Sequence, residues 1–180
     1  DMPTSEFSPF DWAWCARAMS LGNQIRREQR SNVAEGKGLP EGTIVVHTVD
    51  VATGKHAGKG DLTVIATCVR LPRMFYTADK GVIEVISGRW KAPEIIANIA
   101  KQRRKWGGSV VVENNAAQQL LVDLLADPTV REAFGMQDSG RQDVFGRFTT
   151  VEKENPYTGI PSLAAQLSRQ EWFALTEDGN

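Results

Sequence analysis

Thr43-Ile-Val-Val-His-Thr-Val-Asp50 is a run dominated by β-branched side chains that ends in a carboxylate. Such side chains lose freedom in a helix and fit a pleated surface, so the run predicts a strand. The glycine-rich stretch from Val51 to Gly60 predicts a turn. Asp61-Leu-Thr-Val-Ile-Ala-Thr-Cys-Val69 then predicts a second strand. Met74–Thr77 and Val82–Arg89 supply further strand sequence, and the short connections make these first strands antiparallel.

Downstream the period changes from two to 3.6. Pro93 suits a first helical turn, Glu94 sits at the positive end of the helix dipole, and Lys101, Arg103, Arg104 and Lys105 sit at the negative end. Ile95, Ile96, Ile99 and Ala100 form the stripe to be buried, and Gly107-Gly108 stops the helix. Val110-Val-Val112 reads as a strand buried on both faces, closing in Glu113. Asn114 or Asn115 is predicted to cap a helix from Ala116 to Ala126, with Leu120, Leu121, Leu124 and Leu125 facing inward. Strand, strand, strand, helix, strand, helix predicts an α/β fold with a mixed sheet. Beyond Asp127 the expectations are a strand in Val144–Thr150 and a helix in Ser162–Arg169.

Residues 1–40 differ in character. Phe7, Phe10, Trp12 and Trp14 crowd a short stretch, a helical pattern covers Ala16–Arg30, and glycines and Pro40 break the segment up to Gly42. This reads as a lead-in or linker with a helix, packing on a neighbour or ending an upstream domain. Residues 41–180 form the main domain.

The chain has 180 residues, 21 basic and 22 acidic, for a net charge of −1, and is 41% hydrophobic. That length supports one domain with a real core, and the composition excludes disorder, collagen and coiled coil. Near-zero charge excludes a non-specific nucleic-acid coat while leaving room for local basic faces. Cys15 and Cys68 lie too far apart in sequence for a disulfide framework or a four-cysteine zinc site. No apolar run approaches the roughly 20 residues that cross a bilayer, and the start lacks a basic-then-apolar leader. A soluble, non-secreted protein with no membrane partner is the expectation.

Asp50 and Glu113 each close a strand, which places both at the C-terminal edge where open α/β sheets bind ligands. If the two strands are parallel neighbours, the carboxylates meet there. Their mutual repulsion would make a divalent cation a natural partner. The other reading is that each caps its strand or meets a basic side chain. Asp61, opening the second strand, is a third candidate acid or else a turn residue. Gly54 to Gly60 is not a phosphate loop: its glycine spacing is one residue short, no Ser or Thr follows Lys59, and it joins two strands. Its Lys55 and Lys59 can approach a phosphate backbone. His47 lies within the first strand and reads as a satisfied sheet residue, and Cys68 as a small core residue.

Val-Val-His-Thr-Val-Asp50-Val-Ala-Thr-Gly, Gly60-Asp61-Leu-Thr-Val-Ile, Gly88-Arg89-Trp90-Lys-Ala-Pro93-Glu94-Ile-Ile and Val-Val-Val-Glu113-Asn-Asn-Ala-Ala together resemble the nuclease domain of large terminase subunits from tailed bacteriophages. The likeness spans residues 43–126, with a looser one over 146–172. It implies a ribonuclease-H-like fold, with a mixed sheet flanked by helices. It also implies cleavage of concatemeric viral DNA during genome packaging, using two Mg²⁺ or Mn²⁺ ions. Asp50 resembles the family's first-strand catalytic aspartate, Glu113 the acid ending the fourth strand, and Asp61 the extra aspartate at the second strand's start. All three are thereby implied as metal ligands. The implied partners are double-stranded DNA, a terminase ATPase domain, the small terminase subunit and the portal, in the cytoplasm of a bacterial host. Lys55, Lys59, Arg89, Lys101, Arg104 and Lys105 are the expected DNA-binding residues. The family's further aspartate, from a late helix, has no match; Asp138, Asp143 and Asp178 are its only substitutes, and the domain is expected to be cut short at its C-terminal end. Two alternatives are another ribonuclease-H-like nuclease, such as a Holliday-junction resolvase, and a catalytically silent docking module of the packaging machinery.

Overall fold

A computed structural model describes residues 10–29, 39–52, 62–72, 78–113, 119–136, 143–147, 157 and 160–174. In chain order the elements are α1 (Trp12–Gln29), β1 (Ile44–Asp50), β2 (Thr63–Arg70), β3 (Lys80–Gly88), α2 (Ala92–Trp106), β4 (Ser109–Glu113), α3 (Gln119–Ala126), α4 (Pro128–Ala133), β5 (Val144–Arg147), α5 (Ile160–Ser168) and β6 (Trp172–Ala174). The strands form one sheet in the order β5-β4-β1-β2-β3-β6. β2 is antiparallel to both neighbours, whereas β1–β4, β4–β5 and β3–β6 pair in parallel. This is the expected ribonuclease-H-like arrangement: a mixed α/β sheet, antiparallel over its first three strands and parallel thereafter, flanked by helices. Met74–Thr77 and the cap at Asn114 or Asn115 lie outside the described residues.

Strand alternation decides the buried face. Val45, His47 and Val49 of β1 turn inward with Thr63, Ile65, Thr67 and Val69 of β2. Ile95, Ile96 and Ile99 of α2, with Leu121 and Leu125 of α3, cover the centre of that face, which Val110 and Val112 of β4 extend. Each fully buried isoleucine contributes about 1.5–3 kcal/mol relative to exposure. α2 starts as the sequence predicts, with Pro93 in the first turn and the Glu94 carboxylate accepting from the Lys91 N–H at 2.7 Å. It stops at Gly107, whose N–H returns to the Arg103 carbonyl.

A bulge changes the pattern in β3. Thr67 pairs with Glu84 and Cys68 with Val82, so Ile83 is an extra residue. Inward positions shift from Gly81 and Ile83 to Glu84 and Ile86, and Val85 is left 48% exposed.

Three expectations need correction. β4 is not buried on both faces: Val110 and Val112 are fully enclosed, but Val111 is half-buried, because the sheet face it occupies is less covered. Leu120 does not face inward. It is 64% exposed, since the short α3 presents only the stripe of Leu121 and Leu125 to the core, with Leu124 at its margin. Cys68 is half-buried rather than core, on the same less-covered face.

α5 ends in a turn where Gln170 adopts φ 60. The Gln170 N–H donates to the Leu167 carbonyl and the Glu171 N–H to Gln166, the bond pair of a Schellman cap. A non-glycine residue pays for this left-handed conformation, so Gln170→Gly is expected to raise stability by about 0.5–1 kcal/mol. Chemical denaturation reads this directly; a loss would show that the glutamine side chain holds the turn.

Candidate functional site

The parallel pairing of β1 and β4 runs Val46 to Ser109, His47 to Val110, Thr48 to Val111 and Val49 to Val112. One step further brings Asp50 beside Glu113, at the edge where both strands end. Neighbouring strands lie about 4.8 Å apart, and equal register puts both side chains on one sheet face, opposite Val49 and Val112. Asp50 is exposed and Glu113 half-buried. The same edge receives the start of β2, where Val64 pairs with Asp50, and the Thr63 hydroxyl accepts from the Ala52 N–H at 3.1 Å. Asp61, Lys55 and Lys59 lie outside the described residues. Among the described residues no group of three or more His, Cys, Asp or Glu side chains is placed to share a metal ion.

The basic residues divide between two edges. Arg89 follows β3 and is exposed at the edge that carries the acids. α2 starts near that edge and runs back across the sheet for its 15 residues, roughly 22 Å. Lys101, Arg104 and Lys105 therefore lie towards the opposite edge, where β4 begins. Lys105 binds Glu84 at 2.9 Å and stacks over Trp106, Arg104 donates to the Phe134 carbonyl at 2.9 Å, and Lys101 is exposed.

Asp143 also sits at that opposite edge. Its carbonyl accepts from the Val110 N–H, and its carboxylate is gripped by Arg103 and by both terminal nitrogens of Arg131, at 2.9 and 3.0 Å. Burial works against its charge, but the Arg131 and Arg103 guanidinium groups prevail and hold its carboxyl below the usual range. Asp143 ties α2, α4 and β5 together and does not stand in for the missing aspartate. Asp138 and Asp178 lie outside the described residues. No local pattern in the sequence signals this cluster, because its three members come from separate elements.

On the buried face of the sheet, towards the edge where β4 begins, runs a buried polar chain. His47 is fully enclosed, with Nε2 2.6 Å from the Gly107 carbonyl and Nδ1 3.0 Å from the Thr67 hydroxyl. A carbonyl only accepts, so Nε2 carries the proton; neutral Nδ1 then accepts from Thr67, whose single hydrogen favours that contact over Gln102 Oε1 at 3.4 Å. Further along, Glu84 accepts from Trp106 Nε1 at 2.6 Å and from Lys105. Burial disfavours the Glu84 charge, yet these donors keep its carboxyl below the ordinary value. The satisfied sheet histidine expected from the sequence is what His47 is.

Burial lowers the His47 pKa from 6.5, with nearby Arg103 adding to the shift and Gly107 and Glu84 opposing it. Below about pH 6.5 the unfolded chain therefore binds a proton that the folded chain resists, so stability falls as pH drops. The slope approaches roughly 1.4 kcal/mol per pH unit. Glu84 and Asp143, with depressed values, add their losses only at lower pH, below their ordinary 4.5 and 3.8. Urea unfolding of His47→Gln between pH 7 and 3 is expected to lose most of the upper slope and keep the acid one. An unchanged slope would place that proton elsewhere.

No protein-family profile matches the chain, and no curated protein sequence matches it.

Proposed function

We propose that the chain is a divalent-metal-dependent phosphodiesterase acting on DNA, an endonuclease of the terminase type that its sequence resembles. The observation that carries this reading is the parallel β1–β4 register, which sets Asp50 beside Glu113 at the strand ends. Two neighbouring carboxylates suit a hard cation: Mg²⁺ and Mn²⁺ take oxygen donors, and Mg²⁺ commonly uses one or two carboxylates with water and substrate phosphate completing its shell. Asp50 and Glu113 would hold the first ion, and Asp61 would help to hold a second. When bound, such ions supply an activated water and neutralise charge on the scissile phosphate. The chain's own contribution is to end two paired parallel strands in carboxylates, Asp50 exposed and Glu113 half-buried.

Arg89 has the placement that suits a phosphate next to the acids. Lys101, Arg104 and Lys105, with Lys55 and Lys59, would hold the duplex backbone at greater distance, without reading sequence. Engagement with an ATPase domain, a small terminase subunit and a portal belongs to the same proposal, as does cleavage of concatemeric DNA in a bacterial cytoplasm.

Isothermal titration with Mn²⁺ tests the reading. Binding heat that disappears in Asp50→Asn supports it; no heat, or heat indifferent to Asp50, overturns it and leaves the docking-module alternative. Cleavage of four-way junctions in preference to linear duplex would instead favour a resolvase.

A further inference from the structure

We infer that His47 is a positioning residue for the carboxylate pair, its imidazole pinning the entry of β4 to β1 in the register that sets Glu113 beside Asp50. The inference rests on the metal-site reading above.

The need for a pin follows from β4 itself. β1 and β2 are antiparallel and consecutive in the chain, but β1 and β4 are parallel and joined only through β2, β3 and α2. β4 is five residues long, and its centre is three valines in succession. A slip of one residue is excluded by packing, because it would turn Val110 and Val112 outward and Ser109 and Glu113 inward. A slip of two residues keeps the inward face and replaces one buried valine by another, so packing discriminates it weakly, yet it would carry Glu113 about 7 Å along the strand from Asp50 and destroy the pair. Gly107 and Gly108, at φ 70 and 88, turn the chain into β4, and Gly108 seats directly on the Val45 backbone.

His47 supplies the missing direction. It lies opposite Val110 in the ladder, three residues before Asp50, and its Nε2–H reaches back to the Gly107 carbonyl at 2.6 Å. The imidazole is fully enclosed, so any slip would leave a buried donor and a carbonyl without each other. Thr67 at Nδ1 holds the ring in the orientation that makes the contact.

Two amide substitutions separate this pin from a general structural role. Glutamine carries its terminal NH₂ near the reach of Nε2, whereas asparagine extends only to that of Nδ1. His47→Gln is expected to keep Mn²⁺ affinity within about threefold of the parent, and His47→Asn to weaken it about tenfold, the scale seen when a group supporting a metal ligand is removed. A metal-free measurement reads the register itself. In a Cys15→Ser, Cys68→Ser background carrying Asp50→Cys and Glu113→Cys, neighbouring strands lie within disulfide range, and oxidation should crosslink residues 50 and 113. His47→Asn should slow that crosslinking about tenfold and His47→Gln should leave it unchanged. Equal rates in both folded variants, or a slowed glutamine variant, overturn the proposal. If the asparagine variant does not fold, the glutamine variant decides alone: a native rate supports the pin and a slowed rate overturns it. If the parent shows no Asp50-dependent Mn²⁺ binding, the metal-site reading fails while the crosslinking result still decides the role of His47.

Discussion

Glu113→Gln and Asp50→Asn are each expected to cut Mn²⁺-dependent nicking of supercoiled plasmid by about a hundredfold or more, while leaving the melting temperature about equal. The activity loss follows from donor chemistry: an amide keeps the shape of the carboxylate but gives up its charge, and two charges are all that this strand edge contributes from its described residues to a doubly charged ion. The stability outcome follows from placement. Both acids end their strands at the sheet edge, on the face opposite Val49 and Val112, so an amide of the same shape leaves the core untouched. A metal ligand and a structural acid thus predict different changes in melting temperature. Nicking assays paired with thermal unfolding would distinguish them, and a variant that melts several degrees lower would reassign its acid to a structural role.

Gly108→Ala is expected to be the most damaging small substitution in the sheet, at about 3–5 kcal/mol. Two costs combine. The residue sits at φ 88, a conformation that costs an L side chain about 1–2 kcal/mol. An added Cβ would also come to 2.4 Å from the Val45 carbonyl oxygen and 2.7 Å from its Cβ, overlapping the backbone of a central strand that has nowhere to go. Gly107 is the internal control. Its φ is 70, but a Cβ there meets nothing within 4 Å, so Gly107→Ala should show the conformational cost alone. Urea denaturation of the pair reads the difference. Equal losses would mean that β1 and the turn separate easily, against the tight β1–β4 junction described above.

The central fold was legible because its signals are local. β-branched runs, a proline-started amphipathic helix and the Gly107-Gly108 stop each announce themselves within one turn or strand. The acid pair was legible for the same reason: a carboxylate ending each of two strands needs only the parallel pairing to bring them together. α4 also carried a local signal. Asp127 before Pro128 is an N-cap followed by a first-turn proline, and its carboxylate accepts from the Thr129 and Val130 amides. What local pattern does not carry is the placement of short edge strands. β5 has four residues and β6 three, too few for alternation to declare itself. The β3 bulge is equally silent, because Ile83 is an ordinary strand residue until its partner strand fails to match it. The outward Leu120 reflects a tertiary fact as well: a helix packed against one sheet edge hides only a narrow stripe. The basic end of α2 was legible as charge but not as location, which the crossover geometry decides.

The close seating of Gly22 in α1 against the Ala174 carbonyl of β6 has a consequence for biosynthesis. A Cβ at residue 22 would come within 1.9 Å of that oxygen, so the two backbones meet with no side chain between them. A ribosome delivers residue 22 long before residue 174, and Ile25, which ends up almost wholly enclosed, must wait in water for the strand that shelters it. The helix that carries Gly22 and the strand that carries Ala174 are far apart in the chain, so their contact forms only after β6 has been made.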